Sequence, residues 1–366
     1  MNARERVLRS FSVINGRPDR VPVQFDLCES LLTHFSRELN IPLRVTHNLY
    51  EDVSWRISGN EVRFALGSEI VVTGTSEASD YRPDLMPDGR WHNEYGMTMK
   101  AGALYTEVDE YPLAEVETAS DLASFALPDL TRPGRFDDVD LLVSEYRDDF
   151  VVIGGMGVTI MSLIQQLVGI EKLMMDMALQ AEYLPSLIEM VTDFQIEQAK
   201  MLIDHGVDGV FVGDDFGGQS ALLFSRQMFL DYWKSSYRRF CCAVKNKKPD
   251  AILVLHSDGA ITPILDDICE IGFEVLNPIQ PGVPEQSASE MRDAWSEKFA
   301  FWGGIDEQYV IPKAPREEFD ECIADVMGTL GPTGRFVAAP AHILQADVAP
   351  ERVLEFIDSC HRHGSV

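Results

Sequence analysis

Short apolar runs that end in polar residues recur along the chain. The clearest is Ala251-Ile-Leu-Val-Leu-His-Ser-Asp-Gly259, in which five apolar residues lead directly into His256 and Asp258. A run this short and wholly apolar predicts a buried parallel strand that is covered by helices on both faces. The segment 261–271 that follows has its apolar residues on one helical face, and it therefore predicts a covering helix.

This order of strand and helix repeats about eight times, which predicts a (β/α)8 barrel, the α/β fold known as the TIM barrel, in a single domain over residues 1–366. A doubly wound sheet is the alternative, but polar strand ends spread along the whole chain fit a closed barrel better. A β-rich insertion, here called the flap, is predicted at about residues 63–108. The predicted barrel strands are Val21–Phe25, one strand within 69–73, Val151–Ile153, Gly209–Val212, Ile252–Leu255, Glu274–Leu276, Ala300–Trp302 and Phe336–Ala338.

Polar residues follow these predicted strands, at the end of a parallel barrel where functional sites lie. His256 and Asp258 are two apart on an extended chain, so their side chains point to the same side. An acidic opening that carries histidines indicates a metal ion or proton chemistry. The alternative is that these residues only cap the helices that follow. The residues predicted to line this opening, here called the mouth, are Asp26, Asp214, His256, Asp258, Asn277, Gln280, Asp306 and His342.

Two further features could contact a ligand. The run Phe150-Val-Val-Ile-Gly-Gly-Met-Gly157 ends in glycines, which let a backbone approach a ligand closely. It lacks the G-x-G-x-x-G spacing of a dinucleotide site. In the flap, Trp91, Glu94 and Tyr95 could reach a ligand, although packing within a hairpin explains the two aromatic residues equally well.

Composition and charge narrow the classes of partner. The formal net charge of −28 argues against a nucleic-acid or anionic-membrane partner, because both require a basic surface. The six cysteines form no C-x-x-C pair, so neither a disulfide framework nor a thiolate zinc cluster is expected. The first residues contain no apolar signal region, and no apolar run reaches membrane-spanning length. We therefore expect a cytoplasmic protein.

Four motifs resemble the uroporphyrinogen decarboxylase superfamily, and the resemblance covers essentially the whole chain. They are His256-Ser-Asp-Gly-Ala-Ile-Thr-Pro-Ile-Leu-Asp-Asp267, Gly272-Phe-Glu-Val-Leu-Asn-Pro-Ile-Gln280, Phe301-Trp-Gly-Gly-Ile-Asp306, and Ala339-Pro-Ala-His342 with Gln345. The resemblance implies a (β/α)8 barrel whose site lies at the C-terminal ends of the strands. The superfamily contains a cofactor-free porphyrinogen decarboxylase branch and a branch of cobalamin-linked methyltransferases.

Two departures within these motifs favour the methyltransferase branch. The decarboxylases carry an arginine-rich R-Q-A-G-R segment after the first strand, whereas residues 24–30 contain no arginine here. Thiol-methylating relatives bind zinc through His-x-Cys on the fifth strand and a cysteine after the last strand. The matching positions resemble His256, Asp258 and His342, a harder set of ligands that still suits Zn²⁺. The alternative is that these three side chains only hydrogen-bond one another.

The resemblance implies a methyltransferase that moves a methyl group between a small substrate, such as a methoxylated or methylamine-like compound, and a corrinoid on a separate partner protein. The chain itself lacks a D-x-H-x-x-G cobalamin motif. A metal-independent decarboxylase or lyase acting on a small carboxylic acid or porphyrinogen, and a non-catalytic binding protein, are the alternatives. A homodimer is also left open. The expected catalytic residues are Asp26, Asp214 and His256, and the expected substrate contacts are Glu94, Met156, Asp215, Asn277, Gln280, Trp302, Asp306 and Gln345.

Overall fold

The computed structural model describes residues 1–47, 55–102 and 106–366, and its main feature is a curled parallel sheet. In these ranges seven strands pair in the order β1-β6-β7-β8-β9-β10-β11, each parallel to its neighbour. The strands are β1 Ile70–Thr73, β2 Asp84–Leu85, β3 Trp91–His92, β4 Thr98–Ala101, β5 Thr106–Glu110, β6 Val151–Met156, β7 Gly209–Gly213, β8 Ile252–His256, β9 Val275–Ile279, β10 Ala300–Ile305 and β11 Phe336–Pro340.

The first predicted strand, Val21–Phe25, takes the eighth position without forming a regular ladder. On one side Gln24 N donates to Ala338 O and Ala338 N donates to Pro22 O, both at 2.9 Å. These bonds attach the segment to β11 in the parallel direction. The predicted TIM barrel is therefore confirmed, with an eighth strand that pairs only irregularly.

On its other side, the segment Val21–Phe25 is joined to the barrel by Glu69. Its backbone N–H donates to Val23 O at 3.0 Å, and its carboxylate Oε1 accepts from Val23 N at 3.1 Å. The same carboxylate pairs with Arg20 at 2.7 Å and with the buried guanidinium of Arg6. A side chain therefore supplies the hydrogen bond that a regular strand neighbour would have made.

Helices cover the outside of the barrel, and α1 closes its N-terminal end. Asn2 caps this first helix, Ala3–Ser10, because its Oδ1 accepts from Glu5 N at 2.9 Å. A π-helical turn, Phe229–Trp233, joins α8 to α9. The helices are α1 Ala3–Ser10, α2 Glu29–Leu39, α3 Asn60–Ala65, α4 Asp137–Tyr146, α5 Met161–Val168, α6 Ile170–Leu179, α7 Leu184–Asp204, α8 Arg226–Met228, α9 Lys234–Lys247, α10 Leu265–Ile271, α11 Ala288–Trp295, α12 Val310–Lys313, α13 Arg316–Leu330 and α14 Pro350–His363.

The barrel interior is filled with apolar side chains, so the barrel is a packed core rather than a pore. Val254 points inward with alternate residues of the other strands, and Phe211 packs edge-on against Trp302. At the N-terminal end of the barrel, Phe11, which follows α1, packs against Trp302 with ring centroids 5.9 Å apart. The interior is therefore closed at its N-terminal end, which leaves the mouth for polar chemistry.

The predicted flap is present as an antiparallel sheet in the order β2-β3-β4-β5. Its strands lie between Asp84 and Glu110, so it begins later than the predicted residue 63. Residues 60–65 form α3, and residues 70–73 form the barrel strand β1. Residues 103–105 of the predicted flap lie outside the described residues.

No helix in the described ranges is both long enough and apolar enough to cross a lipid bilayer.

Replacing Glu69 tests how the barrel is closed. We expect Glu69→Gln to lower the free energy of unfolding by about 3 kcal/mol, because it removes the anion from a buried cluster with Arg6. Glu270→Gln is the matched control, since Glu270 is 64% exposed and pairs with Lys234 at the surface. Glu270→Gln should lower the free energy of unfolding by less than about 1 kcal/mol. Equal costs for the two variants in urea denaturation would contradict this account.

Candidate functional site

His256 is the last residue of β8 and points into the mouth. In the sheet register it lies opposite Gly213 on β7 and Asn277 on β9. It is in phase with Val254, whose side chain lies inside the barrel, so its imidazole continues the inward-facing row. Its ring also stacks on Phe211, with centroids 5.4 Å apart.

Asn277 determines which ring nitrogen of His256 is available. Asn277 Nδ2 donates to Trp302 O at 3.3 Å, which identifies the other amide atom as the oxygen. That oxygen, Oδ1, lies 2.7 Å from His256 Nδ1 and must accept from it. The neutral imidazole therefore carries its proton on Nδ1, and Nε2 presents a lone pair to the mouth.

Two carboxylates face this Nε2 atom. Asp215 Oδ1 and Asp258 Oδ2 each lie 3.9 Å from His256 Nε2. Asp258 N donates to Asp215 Oδ1 at 2.8 Å, which holds the loops after β7 and β8 together. The ligand atoms of all three side chains lie within 4.8 Å of one another. The sequence analysis expected Asp215 to bind substrate, but the structure places it in this cluster.

The imidazole of His342 lies beside the cluster of Asp215, His256 and Asp258. His342 follows β11, and its Nε2 lies 3.8 Å from Asp258 Oδ2. Burial lowers the pKa of His342 below its ordinary value, although the negative charge of Asp258 opposes the shift. His342 is therefore neutral at neutral pH. His342 therefore lies beside Asp258, but the side chains whose ligand atoms all lie within 4.8 Å of one another are Asp215, His256 and Asp258, so the metal-binding set of His256, Asp258 and His342 stays a prediction.

The spacing of these atoms suits a divalent cation of the zinc type. A tetrahedral zinc ion with bonds of about 2.0–2.2 Å separates its ligand atoms by roughly 3.3–3.6 Å. His256 Nε2 and His342 Nε2 lie 3.9 and 3.8 Å from Asp258 Oδ2, and these two separations exceed the zinc values by a few tenths of an ångström. Two imidazoles with carboxylate oxygens are a common donor set for zinc. His256, Asp258, His342 and Asp215 are therefore the residues that could hold a metal.

A cleft of about 400 Å³ opens beside the group. Gln280 and Gln345, both expected to bind substrate, line it together with Asp258 and His342. Gln280 Oε1 also accepts from Gly259 N at 2.7 Å, which fixes the side chain over the turn after β8. The cleft is large enough for a small organic molecule next to the candidate metal ligands.

The expectation that Asp214 lines the mouth is not met. Its carboxylate turns outward and accepts from Ile160 N at 2.9 Å, from Ser162 N at 2.6 Å and from Tyr237 Oη at 2.6 Å. It therefore caps the beginning of α5 instead of facing a substrate. Complete burial raises the pKa of Asp214 to about 6, although all three hydrogen bonds favour the ionised form.

Asp26 lies in a buried ion cluster rather than as an open carboxylate. Its Oδ2 accepts from Arg56 Nε at 2.6 Å, and its Oδ1 lies 3.2 Å from Arg63 Nη1. Gln24 Nε2 also donates to Oδ1 at 2.9 Å. Because these donors occupy both oxygens, the geometry favours a positioning role for Asp26 over the expected proton relay.

Two more expected substrate contacts are used within the protein. Trp302 is buried inside the barrel, and its Nε1 donates to Gln24 Oε1 at 3.1 Å. Asp306 Oδ1 accepts from the backbone N–H groups of Gln308 and Tyr309, at 2.7 and 3.0 Å, and so holds the turn after β10. Asn277, also expected to bind substrate, instead orients His256.

The remaining two expected substrate contacts, Glu94 and Met156, lie on the flap side of the mouth. Arg135 holds the carboxylate of Glu94 through two hydrogen bonds, of 3.0 and 2.8 Å. Met156 lines a separate small cavity at the ends of β1 and β6. Neither side chain lines the cleft beside His256.

Two charged residues near the mouth, Glu307 and Arg56, were not predicted from the sequence. Glu307 lines the cleft, and burial together with the charges of Asp306 and Asp258 raises its pKa to about 7. Its position directly after Asp306 at a strand end was the signal that could have identified it. Arg56 reaches the mouth from a segment with no strand pattern, so no sequence signal pointed to it.

The family of the chain follows from its sequence. The family model described as uroporphyrinogen decarboxylase (URO-D) matches residues 94–363, which is most of the chain. The chain therefore belongs to this family, as the four motifs predicted. None of the curated proteins matches the chain in sequence.

Solved structures agree with the fold. A methyltransferase from Methanosarcina mazei shares 18% sequence identity and superposes with a TM-score of 0.74, over 99% of each chain. The GH53 catalytic domain of Ignisphaera aggregans, at 11% identity over 94% of this chain and 98% of its own, has a TM-score of only 0.43. The first similarity supports the barrel over its whole length, whereas the second is too weak to support an argument.

Replacing Asp214 tests its capping role and its raised pKa. We expect Asp214→Asn to lower the free energy of unfolding by about 1–3 kcal/mol, because an amide N–H₂ would face donors such as Ile160 N. The folded-state pKa of about 6 lies above the usual 3.8, so protonation stabilises the native wild type below pH 6. This stabilisation is complete below about pH 4 and is lost as the pH rises through 6.

The stability difference between wild type and Asp214→Asn should therefore be larger at pH 5 than at pH 8 in urea denaturation. The matched control is Asp215→Asn, one residue along, whose side chain is 53% exposed and should change stability little. A difference that grows with rising pH would contradict the assignment.

Proposed function

We propose that the protein is a methyltransferase that moves a methyl group between a small methylated substrate and a corrinoid carried by a partner protein. The observation that supports this most strongly is the group at the mouth. His256 Nε2 faces Asp258 and Asp215, with His342 beside them, next to a cleft of substrate size. Such a donor set suits a catalytic zinc ion, which keeps one position open for substrate or water.

Each residue of the group would have a defined task. His256, Asp258 and His342 would hold the ion, with Asp215 as a further oxygen ligand or as the support of Asp258 through its hydrogen bond. Asn277 would keep His256 in the tautomer that binds metal, the role that outer hydrogen-bond partners of metal ligands usually have. A bound zinc ion would act as a Lewis acid on the substrate heteroatom that carries the methyl group.

The cleft would bind and orient the substrate. Gln280 and Gln345 present amide groups that can donate to and accept from a small polar molecule. Gln280 is already fixed by Gly259 N, so it offers a pre-oriented contact. The open side of the cleft would admit the corrinoid.

Two observations support methyl transfer over porphyrinogen decarboxylation. Residues 24–30 contain no arginine, and the mouth presents Asp215, Asp258 and Glu307 where a substrate with many carboxylates would be repelled.

A carboxy-lyase acting on a small acid is the second candidate, and Glu307 is the observation that favours it. Loss of carbon dioxide leaves a carbanion that must take up a proton. Glu307, with its pKa raised to about 7, retains a proton at neutral pH for part of the time and lies in the cleft. This reaction would need no metal and no corrinoid.

A transfer assay separates the two candidates. The chain is mixed with a reduced corrinoid protein and a panel of methoxylated compounds and methylamines, and methylation of the corrinoid is followed by its absorption. We expect a methylated corrinoid with one class of substrate. In His256→Ala the rate should fall on the order of a thousandfold and bound zinc should be lost, because one ligand of the Lewis acid is removed.

The matched control is His205→Ala, since His205 pairs with Asp140 at 2.6 Å on the outer surface and should retain zinc and activity. Asn277→Ala should weaken zinc binding by about 10- to 100-fold while leaving the ligands in place. Release of carbon dioxide by the chain alone, without a corrinoid protein, would replace this proposal with the carboxy-lyase. Full activity in the presence of a chelator would refute the metal site.

A further inference from the structure

The turn directly after Asp258 is enclosed by the backbone of the loop after β7. Gly259 has a φ of +84°, and a Cβ atom there would come within 2.4 Å of Gly217 C. Only glycine fits this position, because a side chain would collide with the neighbouring loop and would be strained at a positive φ. Beside the two glycines, Ala260 N donates to Gly218 O at 2.8 Å. The loops after β7 and β8 are therefore in direct contact at this turn.

Two glutamine side chains from the loop after β9 hold both polar groups of the Gly259 backbone. Gln280 Oε1 accepts from Gly259 N at 2.7 Å, and Gln286 Nε2 donates to Gly259 O at 2.9 Å. Gln286 is only 2% exposed, and it directly precedes Ser287, the residue that caps α11. Glutamine is mostly an exposed residue, so a buried one that holds a single carbonyl indicates a requirement for that hydrogen bond.

The same turn determines where two of the candidate metal ligands lie. Asp258 immediately precedes Gly259, and its backbone N–H donates to Asp215 Oδ1 at 2.8 Å. The position of the Asp215 carboxylate therefore depends on the backbone of Asp258. Because both carboxylates lie 3.9 Å from His256 Nε2, a shift of the turn would move two candidate ligands at once.

A metal site tolerates little movement of its ligands. Metal–ligand distances stay within about 0.2 Å of their usual values, and residues that orient the ligands typically contribute roughly 10- to 100-fold to metal affinity. Gln286 acts one step further from the metal, because it holds the peptide next to Asp258 instead of the carboxylate itself. Without its N–H donor the buried Gly259 carbonyl would lose this hydrogen bond, and the turn would be free to shift.

We propose that Gln286 is a positioning residue of the candidate metal site, and that it sets the separation of Asp215 and Asp258 by holding the Gly259 carbonyl. It acts through the backbone, since the hydrogen bond that it makes is to the peptide that follows Asp258. Its effect on metal affinity rests on the proposed function. The anchoring of the turn rests only on the hydrogen bonds within the chain.

Cobalt(II) is the probe, because its visible absorption reports the number and arrangement of its ligands. Gln286→Met retains the length of the side chain and removes the donor. We expect it to weaken cobalt binding at least about tenfold in calorimetry and to change the absorption spectrum of the bound ion. The matched control is Gln198→Met, since Gln198 is 7% exposed and its Nε2 donates to Thr75 Oγ1 at 2.8 Å. This control should bind cobalt with the affinity and spectrum of the wild type.

Amide hydrogen exchange tests the anchoring of the turn without any metal. In Gln286→Met the backbone N–H groups of Asp258 and Gly259 should exchange faster than in the wild type, because the turn opens more often. Gln198→Met should leave both rates unchanged. Gln286→Glu, which retains the shape of the side chain and loses the donor, gives the same test if the methionine variant does not fold.

The outcomes separate this proposal from the metal site on which it rests. If the wild type binds cobalt and Gln286→Met binds it with the same affinity and spectrum, the positioning role is overturned and the metal site stands. Unchanged exchange at Gly259 in Gln286→Met would also overturn the positioning role. A wild type that binds no cobalt would contradict the proposed metal site, and the positioning role with it.

Discussion

The hydrogen bond between His256 Nδ1 and Asn277 Oδ1 controls the chemistry that this barrel can support. At 2.7 Å it places the proton on Nδ1 and directs Nε2 towards Asp215 and Asp258. If the proton were on Nε2 instead, the cluster would face an N–H donor and could not bind a cation through this imidazole. The bond exists because the register of β8 and β9 sets His256 directly opposite Asn277.

This bond belongs to a chain of hydrogen bonds that crosses the barrel. Asn277 donates to the backbone of Trp302, whose indole N–H donates to Gln24. Gln24 in turn donates to Asp26, which holds Arg56. The candidate metal ligand His256 and the ion pair of Asp26 with Arg56 are therefore linked by one buried network, and a change at its centre should disturb both.

Periodicity predicted the barrel and the polar strand ends, because inward-facing residues alternate along buried strands. It could not predict that the side chains of Asp214 and Asp215 point in different directions. The two adjacent residues follow β7, and only the turn decides that one caps α5 while the other faces the mouth. Arg56 and Glu69 act through partners distant in sequence, which no local pattern encodes.

The central claim is that His256 Nε2 and Asp258 hold a divalent cation at the mouth. Anomalous diffraction on both sides of the zinc absorption edge, from crystals grown with zinc, tests this most directly. We expect one strong peak at about 2.0–2.2 Å from His256 Nε2 and from an Asp258 oxygen, with His342 or Asp215 completing the site. A map with no peak there, or with His256 turned so that Nδ1 faces the mouth, would contradict the account.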